Sequence, residues 1–220
     1  MKQIKAVIFD FNGTLYWDTP FHNEAWDRFL EMHRISLTAE EKRHKIHGKL
    51  NRDILSAIFK RDMDGEELTT MVREKELMYQ EICLQHPLIL APGATDLLDL
   101  LKSKRIFFTV ATAADKINID FYFRTLNLHR WFRLDKIIYD DGSFRGKPNP
   151  DIFFKAMNTL NAEPAATLIF EDSLAGIRAA ENAGAGKIII VNSHNVDYSE
   201  WPYQVIRDFR EVDRKLFVKG

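Results

Sequence analysis

Asp10, Thr112, Lys147 and the Glu171-Asp172 pair are the residues of this chain whose types suit one reaction. Asp10 and Asp172 offer hard oxygen ligands of the kind Mg²⁺ prefers. The amides that follow Asp10, through Phe11-Asn12-Gly13-Thr14, can cradle phosphate oxygens at a strand-to-loop turn, and Gly13 lets such a turn close tightly. Thr112 adds a hydroxyl donor. Lys147 adds a cation against phosphate and developing negative charge. An ionised aspartate beside a metal ion can attack phosphorus and form an aspartyl-phosphate.

Such chemistry needs elements that bring these residues together. Ala6-Val7-Ile8-Phe9, Ile106 to Ala111, Thr167-Leu168-Ile169-Phe170 and Lys187 to Val191 are apolar runs of the kind buried on both faces of a sheet. Lys136-Ile137-Ile138-Tyr139 is a weaker strand before the turn at Asp140 to Ser143. Helices are expected from Ala94 to Lys102, Asp115 to Leu126, after Pro148 and Pro150, and from Ser173 to Ala183. Strands alternating with helices imply right-handed crossovers and a parallel doubly wound sheet. Ligands bind at the carboxyl ends of strands in such sheets. Asp10, Thr112 and Glu171-Asp172 each follow a strand directly, and Lys147 follows the weaker one after a loop. From about Phe21 to His86 the apolar spacing is helical throughout, with Ala25-Trp26, Phe29-Leu30, Ile54-Leu55, Met71-Val72, Met78 and Ile82 recurring, which marks an all-helical insert.

The order Asp-Phe-Asn-Gly-Thr, strand-end Thr112, Gly-Lys-Pro-Asn-Pro and Glu-Asp-Ser-Leu-Ala-Gly-Ile resembles the four signature motifs of the haloacid dehalogenase superfamily. Asp18-Thr19-Pro20-Phe21-His22 through Trp26 is similar to the start of the cap in its β-phosphoglucomutase-like subgroup. The resemblance covers nearly the whole chain. It implies a Rossmann-like core over residues 1–16 and 88–220 and a helical cap over 17–87. It implies a Mg²⁺-dependent phosphatase or phosphotransferase acting on a small phosphorylated metabolite, such as a sugar phosphate. Asp10 would be nucleophile and Mg²⁺ ligand, Asn12 would give the metal its backbone carbonyl, and Asp172 would be the second carboxylate with Glu171 acting through water. Thr112, Lys147 and the amides near Phe11, Asn12 and Ala113 would hold the phosphate. Gly48, His22, Arg52 and Lys75 would face the site from the cap, and Lys116 would be the one basic residue near any second phosphate.

Two positions depart from the subgroup. Asn12 stands where it usually carries an acid–base aspartate, and a carboxamide does not exchange protons at neutral pH. General acid–base help is worth about 10²–10⁴-fold, or roughly 3–5 kcal/mol. Four explanations stay open: a good leaving group such as an acyl or aryl phosphate, a proton from another residue with His22 the candidate, a substitution that traps a complex, or a low-turnover phosphometabolite-binding protein. The second departure is Ala113-Ala114-Asp115-Lys116, where sugar phosphomutases of the subgroup hold a second phosphate with serine, lysine and asparagine. Both departures favour a phosphatase of monophosphates over a phosphomutase. A dehalogenase has no need of the Glu171-Asp172 pair.

Plainer roles compete at each position. Asp172-Ser173 is also a good helix N-cap, and Arg52 and Lys75 also suit a solvated helix face. Gly142 to Lys147 does not match the spacing of a Walker loop. A formal net charge of −1 gives no global attraction to nucleic acid or an acidic membrane. The sole cysteine, Cys83, has no internal disulfide partner and suits a reducing compartment. Met1 to Lys5 leads into a run too short for a signal peptide, and no run nears the roughly 20 apolar residues of a membrane span. The expectation is a cytoplasmic protein, monomeric for want of an apolar heptad stripe, whose partner is a small phosphate ester.

Overall fold

A computed structural model describes residues 3–217; residues 1–2 and 218–220, at the ends of the expected core, lie outside it. Strands β1 (Ala6–Phe9), β2 (Phe107–Asp115), β3 (Ile138–Asp140), β4 (Thr167–Glu171), β5 (Lys187–Val191) and β6 (Gln204–Ile206) form one sheet in the order β3-β2-β1-β4-β5-β6. Every pair is parallel. The chain builds outward from β1 to β3, then returns to the other side of β1 with β4. That reversal makes the β1–β4 boundary the switch point, where a crevice opens beyond the strand ends.

Period-2 alternation explains how the strands are sealed. Val7 and Phe9 of β1 join Leu168 and Phe170 of β4 on one face, packed with Leu97 and Leu98 of α5 (Ala94–Ser103) and Phe121 of α6 (Lys116–Thr125). Ile8 and Ile169 point to the opposite face, against Phe153 of α7 (Asp151–Leu160) and Ala179 of α8 (Leu174–Asn182). Phe9 pairs with both Val110 and Phe170, so Asp10, Ala111 and Glu171, the next residues along, emerge at nearly one level.

Four consecutive helices of the insert, α1 (Thr19–Met32), α2 (Ala39–Lys45), α3 (Asn51–Phe59) and α4 (Gly65–Cys83), separate β1 from α5 among the described residues. They enclose an apolar cluster of their own, including Trp26, Phe29, Leu30, Ile54 and Leu55. The helix Ala39–Lys45 starts on a capping box in which Thr38 Oγ1 accepts from the Glu41 amide and Glu41 accepts from the Thr38 amide.

The sheet differs from the sequence reading at its edges. β2 runs on to Asp115 because its far end pairs with β3 after an irregular register step. Lys136 ends a short 3₁₀ turn, so β3 begins at Ile138. β6 carries no apolar run: Gln204 and Val205 are exposed and only Ile206 is buried, as suits a short edge strand. None of the described helices is long and apolar enough to cross a membrane.

Candidate active site

The strand ends meet at a buried ionic cluster. Lys147 Nζ donates to Asp10 Oδ1 at 2.6 Å and to Glu171 Oε1. Asp172, one residue beyond β4, accepts from Thr14 Oγ1 at 2.9 Å. One oxygen from each of Asp10, Glu171 and Asp172 lies within 4.8 Å of the others. Glu171 Oε2 also accepts from the amides of Asp172 and Ser173, both at 2.9 Å, and from Ser173 Oγ at 3.1 Å. Two glycines permit this crowding. A Cβ on Gly13, whose φ is +80°, would stand on the Asp172 carboxylate, and one on Gly176 would overlap Glu171.

Three carboxylates share one ammonium here, and the charge balance shows it. Burial pushes Asp10 up to about 7, although Lys147 pulls it down. Burial, then the Glu171 and Asp10 charges, hold Asp172 well above the usual carboxylate range. Burial alone would lower Lys147, but the Asp10 and Glu171 carboxylates outweigh that and raise it. An oxygen-rich, under-neutralised cluster of this kind fits a hard divalent cation.

Asn12 is fixed above this floor. Its Nδ2 donates to Asp18 Oδ2 at 2.6 Å and to the Tyr122 hydroxyl at 2.7 Å, and its Oδ1 accepts from Thr112 Oγ1 at 3.1 Å. Asp18 is fully buried and also accepts from the Tyr79 hydroxyl and the Gly13 amide. Burial pushes Asp18 up to about 6 against those hydrogen bonds.

The helical insert supplies the facing wall. His22 stacks on Tyr79 with ring centroids 3.7 Å apart, and Lys75 Nζ lies 2.9 Å from His22 Nδ1. Burial, then Lys75 and His47, hold the His22 pKa well below its usual value, so the ring is neutral. With Lys75 donating to Nδ1, the ring proton sits on Nε2, 3.3 Å from Asn12 Nδ2. A cavity of about 80 Å³ between floor and wall is lined by Asp10, Asn12, Thr112 and Asp172 below, and by His22, Trp26, Asn51, Lys75 and Glu76 above.

The model of the haloacid dehalogenase-like hydrolases matches residues 4–184. The chain belongs to that family. A phosphorylated carbohydrates phosphatase of Thermotoga maritima is 30% identical over 87% of this chain and 88% of its own length. A β-phosphoglucomutase of Bacillus subtilis is 30% identical over 82% of this chain and 80% of its own. The crystal structure of a family IA, variant 3 hydrolase from Entamoeba histolytica superposes with a TM-score of 0.86 at 32% identity, covering 98% of each chain.

Within this haloacid dehalogenase-like hydrolase, most residues expected at the site converge. Asp10, Asn12, His22, Gly48, Lys75, Thr112, Ala113 and Asp172 line the cavity, with Lys147 and Glu171 bonded beneath or beside them. Three do not reach it through their side chains. The Phe11 ring lies in the apolar core, 4.6 Å from Tyr122. Arg52 spans from the insert to the loop after β3, donating to the Phe144 carbonyl at 2.5 Å and Asp140 Oδ1 at 3.4 Å. Lys116 sits in the first turn of α6 with an outward i,i+4 partner, Asp120, and is exposed. Asp18, Asn51, Glu76 and Asn118 were not singled out as site residues from sequence. For Asn51, Glu76 and Asn118 the signal was polarity on otherwise buried helix faces, and for Asp18 it was a helix-capping position; neither points to the site until the neighbouring helices are placed.

Proposed function

We propose that the protein is a Mg²⁺-dependent phosphatase of small phosphorylated metabolites, sugar monophosphates among them, working through an aspartyl-phosphate on Asp10. The observation that carries this reading is Asp10 itself, held through Oδ1 by Lys147 at 2.6 Å beside the Asp172 carboxylate. Asp10, Asp172 and the Asn12 carbonyl would hold the cation, with Glu171 acting through water because its oxygens already accept from Lys147, Ser173 and two amides. Bound Mg²⁺ would neutralise charge on the transferring phosphoryl oxygens.

Lys147 orients Oδ1, which leaves Oδ2 of Asp10 to attack phosphorus in line with the leaving oxygen. The Thr112 hydroxyl and the amides near Ala113 take phosphoryl oxygens. The helical insert acts as a cap that excludes water during transfer. Asn12 cannot donate a proton, and its amide hydrogens are committed to Asp18 and Tyr122. The His22 Nε2–H, 3.3 Å from Asn12 Nδ2 on the facing wall, hydrogen-bonds the leaving oxygen. The leaving oxygen takes its proton from the water that then cleaves the aspartyl-phosphate, releasing inorganic phosphate as HPO4²⁻ and restoring Asp10. The similarity to a carbohydrate-phosphate phosphatase supports this reading, and the outward turn of Lys116 weighs against a mutase that must grip a second phosphate.

Phosphate release from sugar phosphates and acetyl phosphate, with and without Mg²⁺, tests this. Release that needs Mg²⁺ and vanishes in Asp10→Ala is expected. Mg²⁺-dependent binding of these compounds with no release would replace the enzyme by a phosphometabolite-binding protein.

A further inference from the structure

Glu76 is a buried carboxylate that hydrolysis leaves unused. It lies on the helix Gly65–Cys83 beside Lys75 and lines the same cavity as Asp10. Its Oε1 accepts from Asn51 Nδ2 at 2.8 Å and Lys75 Nζ at 3.0 Å, and its Oε2 accepts from Asn118 Nδ2 at 2.6 Å. Asn51 comes from the insert and Asn118 from α6 of the core, and both also line the cavity. Gln80, one turn beyond Glu76, donates to Asn118 Oδ1 at 2.9 Å, which fixes that amide on both sides.

The three side chains thus present a rigid polar surface opposite the phosphate end of the cavity. A carboxylate offers about four acceptor positions, and three of Glu76's are taken. Each asparagine retains one amide hydrogen beyond its bond to Glu76. A surface that both donates and accepts, locked before the ligand arrives, matches hydroxyl groups, which do both. Its one cation, Lys75, is already paired with Glu76 at 3.0 Å, so it offers no uncommitted positive charge to a second anion. Asp115 faces Glu76 from the end of β2, where burial and then the Glu76 charge push it up to about 6. Lys116, a second cation close by in the chain, is turned away to Asp120.

We propose that Glu76, with Asn51 and Asn118, is the specificity-determining subsite for the body of the substrate. It hydrogen-bonds the hydroxyls of a neutral polyhydroxylated monophosphate and turns away a second phosphate. The inference rests on the phosphatase reading of Asp10.

The test compares kcat/KM for a hexose 6-phosphate, a hexose 1,6-bisphosphate and phenyl phosphate, which has no hydroxyls. Wild type, Glu76→Gln and Asn51→Ala are measured together. In Glu76→Gln the ratio of hexose monophosphate to phenyl phosphate falls about tenfold, carried by KM, because one charged hydrogen bond is lost. The ratio of bisphosphate to monophosphate rises about tenfold as like charge is removed. Asn51→Ala lowers the first ratio and leaves the second in place. Ratios that stay at wild-type values, or a proportional loss on all three substrates in both variants, overturn the subsite. Should Glu76→Gln fail to fold, an unmoved first ratio in Asn51→Ala has the same force. A wild type that releases phosphate from none of the three, phenyl phosphate included, instead removes the reading of Asp10, and the subsite falls with it.

Discussion

Two buried lysines belong to the two sides of the cavity, Lys75 in its wall and Lys147 beneath its floor, and their surroundings differ. Lys147, on the core side, touches Asp10 and Glu171 with Asp172 close by, so three carboxylates surround one ammonium. Lys75, on the insert, touches a neutral imidazole and one carboxylate, with the Trp26 and Tyr79 rings 4.9 and 5.5 Å from its nitrogen. The floor is short of positive charge and suited to a cation and a phosphoryl group. The wall is balanced within itself and suited to recognising what the phosphate is attached to. Chemistry is placed on strand ends, whose register is set by the sheet; selection is placed on the helices packed over them.

The largest effects should separate the two lysines. Lys147→Ala removes the orienting cation and leaves two carboxylates buried without it, so kcat should fall about 10²–10³-fold and stability by roughly 3–5 kcal/mol. Lys75→Ala should lower kcat/KM by about tenfold, mainly through KM. Steady-state kinetics and thermal melts of the pair check this; equal losses in kcat would erase the distinction between floor and wall.

Asn12→Asp sharpens the comparison from the floor. The new carboxylate would meet Asp18, 2.6 Å from the present Asn12 nitrogen, and one of the two must hold a proton. Asp18 already stands near 6 in the folded protein. A carboxyl raised on folding contributes stability that is present below its unfolded pKa and lost as pH rises through the folded one. The variant should therefore match the wild type near pH 4 and fall below it by about 2–4 kcal/mol at pH 8. Denaturant melts across that range test the sign, and a difference that does not grow with pH contradicts it.

A smaller effect belongs to the seam between the regions. Gln80 donates to Asn118 Oδ1 and to the Ile117 carbonyl at 3.3 Å, tying the insert to α6. Gln80→Ala should cost about 1 kcal/mol and raise KM a few-fold with kcat retained.

The floor was legible in the sequence because each of its groups follows an apolar run that could only be a buried strand. Asp10 after Ala6–Phe9 and the Glu171-Asp172 pair after Thr167–Phe170 needed no tertiary information. Lys147 came less directly, through a loop after a weak strand. The wall was harder, because helical periodicity states which face is buried but not against what. Lys75 was reached through family resemblance, while its neighbour Glu76 gave no sign that Asn51 and Asn118 would converge on it. Arg52 and Lys116 show the same limit from the other side: both are cations near the right place in sequence, and each finds a partner away from the cavity. β6 escaped notice because a three-residue edge strand with one buried side chain has no pattern to read.

The most direct measurement is acid-quenched mass spectrometry during turnover of acetyl phosphate with Mg²⁺, run on the wild type and Asp10→Asn beside a phosphate-release assay. The account predicts one added phosphoryl group on the peptide containing Asp10, absent from Asp10→Asn, with release in that variant reduced by about 10⁴-fold or more. Phosphate release that survives in Asp10→Asn would contradict it.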